Sequence, residues 1–244
     1  MKERILLMGS PGTGKSQQLI NIVNFVGTNV YVVDLEDKLS AMLERTGIPK
    51  NMKLQTAFTW EELKADENSV FDQIMKQATP GEWIAIDRVD LAWSFVQKWY
   101  TENKYQQELA DVMMEKAKGI KKSFMVAPRF DQGSWQVINA AYEGFITGIL
   151  YRSRCNILLT CGIAEVDQNQ SNPLDAYGNI RVKPRGQKEL GHQPHSVFLL
   201  TQEKVGRKSA WYLTTAKDLP GRVLFDKEDL FDFAFQYLSE HYNP

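Results

Sequence analysis

Residues Gly9-Ser10-Pro11-Gly12-Thr13-Gly14-Lys15-Ser16 match the pattern G-x-x-x-x-G-K-[ST] in full. This stretch restricts the fold more than any other, because the pattern works in one setting only. A buried strand must deliver the chain to the loop, and a helix must begin at the lysine, so that its N-terminus and dipole face bound phosphate. Both neighbours are legible. Ile5–Met8 is a short apolar run that reads as a buried strand, and Lys15–Val26 carries Leu19, Ile20, Ile22, Val23 and Val26 in a helical pattern. Within the loop, the glycines let backbone amides curl around phosphate oxygens. Lys15 supplies a point charge, and the Ser16 hydroxyl can join the coordination of Mg²⁺. Gly9, Ser10, Pro11, Gly12, Thr13, Gly14, Lys15 and Ser16 are therefore the expected cradle for ATP, with Mg²⁺ beside it.

The rest of the chain continues the alternation. Asn29–Asp34 reads as a strand, Glu36–Arg45 as a helix and Lys53–Thr56 as a weak strand. Trp60–Ala78 reads as a helix opened by Thr59-Trp60-Glu61-Glu62, which resembles a capping box. Trp83–Ile86 is a strand ending in Asp87, and a long helical stretch follows from Leu91 to Lys118. After a break over 119–133 come a helix, Trp135–Ser153, and a buried strand, Asn156–Thr160. Residues 165–195 lack periodicity and read as a long loop, a class of segment that is usually functional or disordered. Ser196–Gln202 and Ser209–Thr215 form an expected hairpin around Gly206, and Asp229–Glu240 an expected helix. The order predicts an α/β fold: a mostly parallel central sheet flanked by helices, with an antiparallel C-terminal edge. A chain of 244 residues suffices for one such domain over 1–244, with 163–195 as its long loop.

Charge and composition narrow the partners. With 29 Lys and Arg against 30 Asp and Glu the chain is no polycation, so any contact with nucleic acid has to be local. No apolar run approaches the roughly 20 residues of a membrane span, and the N-terminus leads directly into a strand without a signal peptide, so a cytoplasmic location is expected. Cys155 and Cys161 share one expected strand, too far apart for a disulfide, and read as buried thiols. His192, His195 and His241 have no partners at zinc-ligand spacing.

The acids at strand ends are the candidates for chemistry. Asp87 closes a buried strand, where a carboxylate can reach Mg²⁺ beside the phosphate loop. Asp90 is its competitor, and reads better as the N-cap of the next helix. Asp34 and Glu36 close the second strand. Hydrolysis needs a group that orients or deprotonates water opposite the leaving phosphate, and the residues alone leave these two open.

Taken together, the sequence resembles the RecA-like branch of P-loop ATPases, and within it the small phage-encoded proteins that include RecA-like single-strand-annealing recombinases. The resemblance covers most of the chain and is most specific at Gly9–Ser16. Asp34-Leu35-Glu36 looks like the Asp-x-Glu of RecA-type ATPases, which implies Glu36 as the water-activating residue, and Asp87 matches the Walker B position. Thr160 stands where a polar sensor of the terminal phosphate is expected. Thr214-Thr215-Ala216-Lys217-Asp218 resembles a segment whose lysine, here Lys217, reaches the phosphate bound by a neighbouring subunit. The helicase-type pattern has an arginine two residues further on, where this chain has Leu219; Arg222 is the nearby substitute at a different spacing. Lys15, Glu36, Thr160 and Lys217 are thus the implied catalytic set.

Two basic segments are candidates for nucleic acid. One is Lys116–Lys122 with Lys121 and Lys122, and the other contains Arg181, Lys183, Arg185 and Lys188. The resemblance implies that such loops face the axis of a ring or filament and touch the DNA backbone, which requires charge and little base reading. Trp135, Tyr177 and Phe124 are candidate stacking faces. The expectation is an ATP-hydrolysing homo-oligomer acting on single-stranded DNA in phage recombination or replication. The alternatives are a nucleotide-dependent assembly module without DNA-directed activity and a small-molecule kinase.

Overall fold

The structure is a computed structural model, and it describes residues 2–119, 130–166, 177, 180–239 and 242. Its centre is an eight-stranded sheet in the order β10-β9-β8-β1-β5-β4-β2-β3. The strands are β1 (Arg4–Gly9), β2 (Val30–Asp34), β3 (Met52–Thr56), β4 (Trp83–Asp87), β5 (Asn156–Cys161), β8 (Ser196–Val205), β9 (Lys208–Asp218) and β10 (Glu228–Asp229). From β3 across to β8 every pairing is parallel; β8–β9 and β9–β10 are antiparallel. The expected fold class is the observed one. A separate two-stranded ribbon pairs β6 (Ile163–Glu165) with β7 (Val182–Pro184).

The sheet is covered on both faces, and strand periodicity divides the apolar residues between two cores. Leu6, Met8, Tyr31, Val33, Ile84, Ile86, Ile157 and Leu159 point to one side. There they meet α4 (Val89–Tyr105) and α6 (Gln132–Thr147) through Val89, Val96, Ile138 and Phe145. Ile5, Leu7, Val30, Val32, Trp83, Ala85 and Leu158 point to the other, against Leu19, Ile22 and Val23 of α1 (Lys15–Val26), Leu39 and Leu43 of α2 (Lys38–Thr46), and the C-terminal Phe233 and Tyr237. Each such side chain contributes about 1.5–3 kcal/mol when taken out of water, so the alternation itself fixes which face each strand presents.

Four expected elements differ from those observed. The long helix divides into α4 and α5 (Leu109–Gly119), because Gln106 adopts a left-handed φ of 55° and its N–H closes the turn onto the Glu102 carbonyl. The segment after Trp60 is a π-helical turn, Glu61–Ala65, followed by α3 (Val70–Gln77), with the polar run Asp66–Ser69 between them and Ser69 capping α3. The capping box is present in a shifted form: Thr59 accepts from Glu62 N, while the Glu62 carboxylate reaches back to Phe58 N. Part of the expected loop over 165–195 is β7, and the expected C-terminal helix reduces to β10 and the turn Ala234–Leu238.

Register does the positioning. Leu7 pairs with Thr160, Gly9 with Leu200, and Asp34 with Asp87. The phosphate loop, Asp87, Asp34 and Thr160 therefore arrive at one edge of the sheet, the carboxyl ends of its parallel strands. β5 lies between the strand that carries the loop and the strand that carries Asp87.

Candidate functional site

The loop is held open by backbone geometry. Gly12 and Gly14 sit at φ 84° and 86°, a region that side chains disfavour. A Cβ on Gly9 would lie 2.5 Å from both the Leu200 carbonyl oxygen and Thr13 Oγ1, so that position has no room for a side chain. Thr13 Oγ1 donates to the Ser10 carbonyl at 2.9 Å and closes the curl. Lys15 is buried and folds back, its Nζ donating to the carbonyls of Gly9 and Ser10, both at 2.8 Å. Burial holds the ammonium below its ordinary pKa, opposed by nearby negative charge that includes Asp87 and Asp90. From the antiparallel edge, Trp211 Nε1 donates to the Gly12 carbonyl at 3.1 Å. The loop borders a cleft of about 380 Å³ that Glu36, Lys38, Arg88, Gly162 and Arg185 also line.

Asp87, 1% exposed, lies behind Ser16, which lines that cleft. One carboxylate oxygen accepts from Ser16 Oγ at 2.8 Å, and the other from Thr160 Oγ1. Burial pushes the carboxyl above its usual range, with the Thr160 and Ser16 hydrogen bonds pulling the other way. A desolvated carboxylate touching a serine hydroxyl at a phosphate loop is a donor set suited to Mg²⁺, which takes one or two carboxylates together with substrate phosphates. Ser16 and Asp87 are the residues that would hold it. Thr160 is fully buried, and its oxygen also accepts from Arg88 N at 2.9 Å. Its hydroxyl is thus committed to Asp87 and to the Arg88 backbone, behind the Asp87 carboxylate as a support.

The structure separates Asp34 from Glu36. Asp34 is fully buried and accepts from the backbone N–H groups of Glu36 (2.9 Å), Leu39 (2.8 Å) and Ser40 (3.3 Å), which makes it the cap of α2. Glu36 lines the cleft and pairs with Arg88 Nη1 at 2.9 Å and Lys38 Nζ at 2.8 Å. Burial works against its charge, but hydrogen bonds and charge from Lys38 and Arg88 outweigh this and hold the carboxyl below its ordinary value.

The N-cap reading of Asp90 is corrected. Arg88 occupies the cap position of α4 at φ 65°, and Asp90, inside the first turn and buried, receives Arg88 Nε at 3.0 Å and Nη2 at 3.1 Å. Arg88 itself is a site residue that sequence reasoning missed. Its signal was the run Asp87-Arg88-Val89-Asp90, a cation between two acids at the end of a buried strand.

The second basic segment is divided. Arg185 lines the cleft, its side chain lying against Gly162, and Arg181, Lys183 and Lys188 do not; all four are exposed, on and beside β7. Lys121 and Lys122 lie outside the described residues, as does Phe124. The stacking reading of Tyr177 is corrected: it is buried and its hydroxyl donates to the Gly191 carbonyl at 2.8 Å. Trp135 is half-buried, stacked on Trp93 with ring centres 6.0 Å apart. Lys217 pairs in register with Val197, towards the sheet edge opposite the phosphate loop, and its Nζ donates to the carbonyls of His192 (2.8 Å) and Pro194 (2.7 Å). It does not reach the cleft of its own chain. Arg222 pairs with Glu3 at 2.6 Å.

Among the described residues no helix is long and apolar enough to cross a membrane. A search of the curated proteins found no match. Among solved structures, the crystal structure of the RadB recombinase aligns over 89% of this chain and 82% of that chain, at 12% sequence identity and a TM-score of 0.46. The profile of the ATPase family associated with various cellular activities (AAA) matches residues 5–162, which run from β1 through the phosphate loop, Glu36 and Asp87 to the end of β5. With the loop, its lysine and its buried carboxylate assembled at one sheet edge, the chain belongs to the ATPase family associated with various cellular activities, and is a nucleotide-binding ATPase.

Proposed function

We propose that this chain hydrolyses ATP in a Mg²⁺-dependent manner and couples that hydrolysis to single-stranded DNA, as a phage-encoded homo-oligomer of recombination or replication. The observation that carries the hydrolytic part is the Ser16–Asp87 hydrogen bond of 2.8 Å at the floor of a cleft that Glu36 also lines. Mg²⁺ would supply neutralisation of phosphate charge. The chain's own residues do the rest. The loop amides and Lys15 bind and orient the phosphates. Thr160 fixes the carboxylate of Asp87. Glu36 orients a water molecule and takes its proton, a contribution typically worth about 10²–10⁴-fold in rate.

The DNA part is supported by the exposed Arg181, Lys183 and Lys188 on and beside the ribbon that leaves β5 next to the cleft. Repeated in a ring or filament, three cations per chain would form a track for phosphates although each chain is close to neutral. In such an assembly Lys217 would act on the nucleotide of a neighbouring copy, and its two carbonyl partners would have to release it.

The test is ATP turnover by wild type and Lys15→Ala, with and without single-stranded DNA. Wild type should turn over ATP with Mg²⁺, faster when DNA is added, and Lys15→Ala should be inactive in both conditions. Turnover that ignores DNA would remove the DNA-directed part. Wild-type turnover by Lys15→Ala would remove the site.

A further inference from the structure

Asp34, Glu36, Asp87 and Asp90 stand at this edge of the sheet, and one arginine connects two of them. Asp90 is 4% exposed and lies beneath Gly162 and Gly186. A Cβ on Gly162 would come within 3.3 Å of its Oδ2, and one on Gly186 within 3.4 Å of its Cα. Burial of a carboxylate is costly unless it is paired and hydrogen-bonded. Arg88 supplies the pair with Nε and Nη2, the bidentate geometry that makes arginine–carboxylate pairs strong. That pairing fixes the guanidinium plane and leaves Nη1 pointing to Glu36 at the wall of the phosphate cleft.

The three ion pairs at this place are unequal. Lys38, with a side chain 64% exposed, is a screened surface partner of Glu36, a class of pair worth about 0–1 kcal/mol. Arg88–Asp90 is sheltered on both sides, with side-chain exposures of 17% and 2%. Arg88–Glu36 lies between, at 17% and 27%, and borders the space where phosphate binds. A terminal phosphate entering the cleft brings more negative charge than one carboxylate and offers several acceptor oxygens. It therefore competes for Nη1 without disturbing the pairing with Asp90.

We infer that Arg88 is a built-in reader of the terminal phosphate: Asp90 anchors it, Glu36 holds its free Nη1 before nucleotide binds, and a triphosphate takes that Nη1 and releases Glu36 to act on water. This rests on the proposed hydrolytic reading of the cleft. It adds that discrimination of triphosphate from diphosphate lies in this chain's own Arg88, and that Glu36 competes with the substrate for it. The backbone N–H of Arg88 donates to Thr160, which donates to Asp87. The reading arginine and the metal-binding carboxylate therefore share one support.

The test is equilibrium binding of a fluorescent ADP and of a fluorescent non-hydrolysable ATP analogue, both with Mg²⁺. The proteins are wild type, Glu36→Gln, Arg88→Lys, Arg88→Gln combined with Asp90→Asn, and that double variant carrying Glu36→Gln. The Asp90 change relieves the buried charge that loss of Arg88 would strand, and Arg88→Lys keeps the charge while losing the fork. Wild type should bind the analogue more tightly than ADP. Glu36→Gln, a change at a part-exposed side chain, should tighten the analogue by about tenfold and leave ADP unchanged, the scale of one charge-assisted hydrogen bond. Arg88→Lys should lose part of the preference, and Arg88→Gln with Asp90→Asn all of it. Adding Glu36→Gln to that background should then change nothing. Equal loss of ADP and analogue on changing Arg88, no tightening by Glu36→Gln, or tightening that persists without Arg88 would each overturn the inference. Wild type that binds both nucleotides without discrimination would overturn it alone. Wild type that binds neither would overturn the hydrolytic reading as well.

Discussion

Replacing Thr160 by valine would remove one oxygen atom from the middle of the site and keep the shape. That oxygen makes two buried hydrogen bonds: it donates to the Asp87 carboxylate and accepts from Arg88 N at 2.9 Å. A hydrogen bond to a charged group contributes about 1.5–3 kcal/mol, and a buried N–H left without a partner costs about 1–3 kcal/mol. The two together give an expected loss of about 2.5–6 kcal/mol, a large share of the roughly 5–15 kcal/mol that holds a domain folded. Thr160→Ser, which keeps the oxygen and loses a methyl, should cost only about 1 kcal/mol. Urea unfolding at pH 8 would separate the variants by midpoint. The loss should also depend on pH. Burial raises the Asp87 pKa above its ordinary value, so its ionisation costs stability: the folded state is favoured while the group is protonated, and that advantage is lost as pH rises through the raised pKa. Valine removes a donor that favoured the charged form and raises the pKa further. Its penalty should therefore be larger at pH 8 than at pH 5. A loss below about 1 kcal/mol at pH 8, or one independent of pH, would refute the argument that Thr160 supports an ionised Asp87.

Three further outcomes follow from the same geometry. Asp87→Asn should weaken nucleotide binding in Mg²⁺ far more than in EDTA, as measured by titration in both; equal loss would remove the metal role. Trp211→Phe should abolish most of the change in tryptophan emission on nucleotide binding, because Trp211 touches the Gly12 carbonyl and should report movement of the loop. Replacing Arg181, Lys183 and Lys188 by glutamine should weaken single-stranded DNA binding and flatten its salt dependence, by about 0.7 in the log–log slope for each DNA phosphate no longer neutralised. An unchanged slope would move the DNA surface elsewhere.

How much of this was legible in the sequence depends on how local each cause is. The strand-loop-helix unit at residues 5–26 was readable because glycine spacing, the lysine and the apolar period all act within one short window. The parallel strands were readable because burial on both faces leaves nearly continuous apolar runs such as Val30-Tyr31-Val32-Val33. The break at Gln106 was not, because a left-handed residue other than glycine carries no compositional mark. Nor was β7: its strand is Val182–Pro184, too short for periodicity, and it exists through pairing with β6 across a long separation in sequence. Arg185 reads in the sequence as one member of a basic cluster, and its place beside the cleft, just after β7, depends on that same long-range pairing.

The acids make the same point within the site. Asp34, Glu36, Asp87 and Asp90 are chemically equivalent in the sequence, and their positions near strand ends qualify all four for work on a phosphate or a metal. Their partners separate them. Asp34 is held by three backbone N–H groups, those of Leu39 and Ser40 in the first turn of α2 and that of Glu36 just before it, and these cannot leave without unwinding that turn. Asp90 is held by both arms of an arginine under two close-packed glycines, where exchange would strand a buried charge. Asp87 is held by two hydroxyls, and one of them, Ser16, lines the cleft, so it can trade that hydrogen bond for a cation. Glu36 alone has only side-chain cations as partners, Lys38 and Arg88, both of which line the cleft and are attracted by incoming phosphate. A general base must hold its proton acceptor ready and yet be able to give up its resting partners. Among these four acids Glu36 is the one that meets both conditions, which suits it to the proposed role, because its neighbours, unlike those of Asp34, are charges that the substrate itself can recruit.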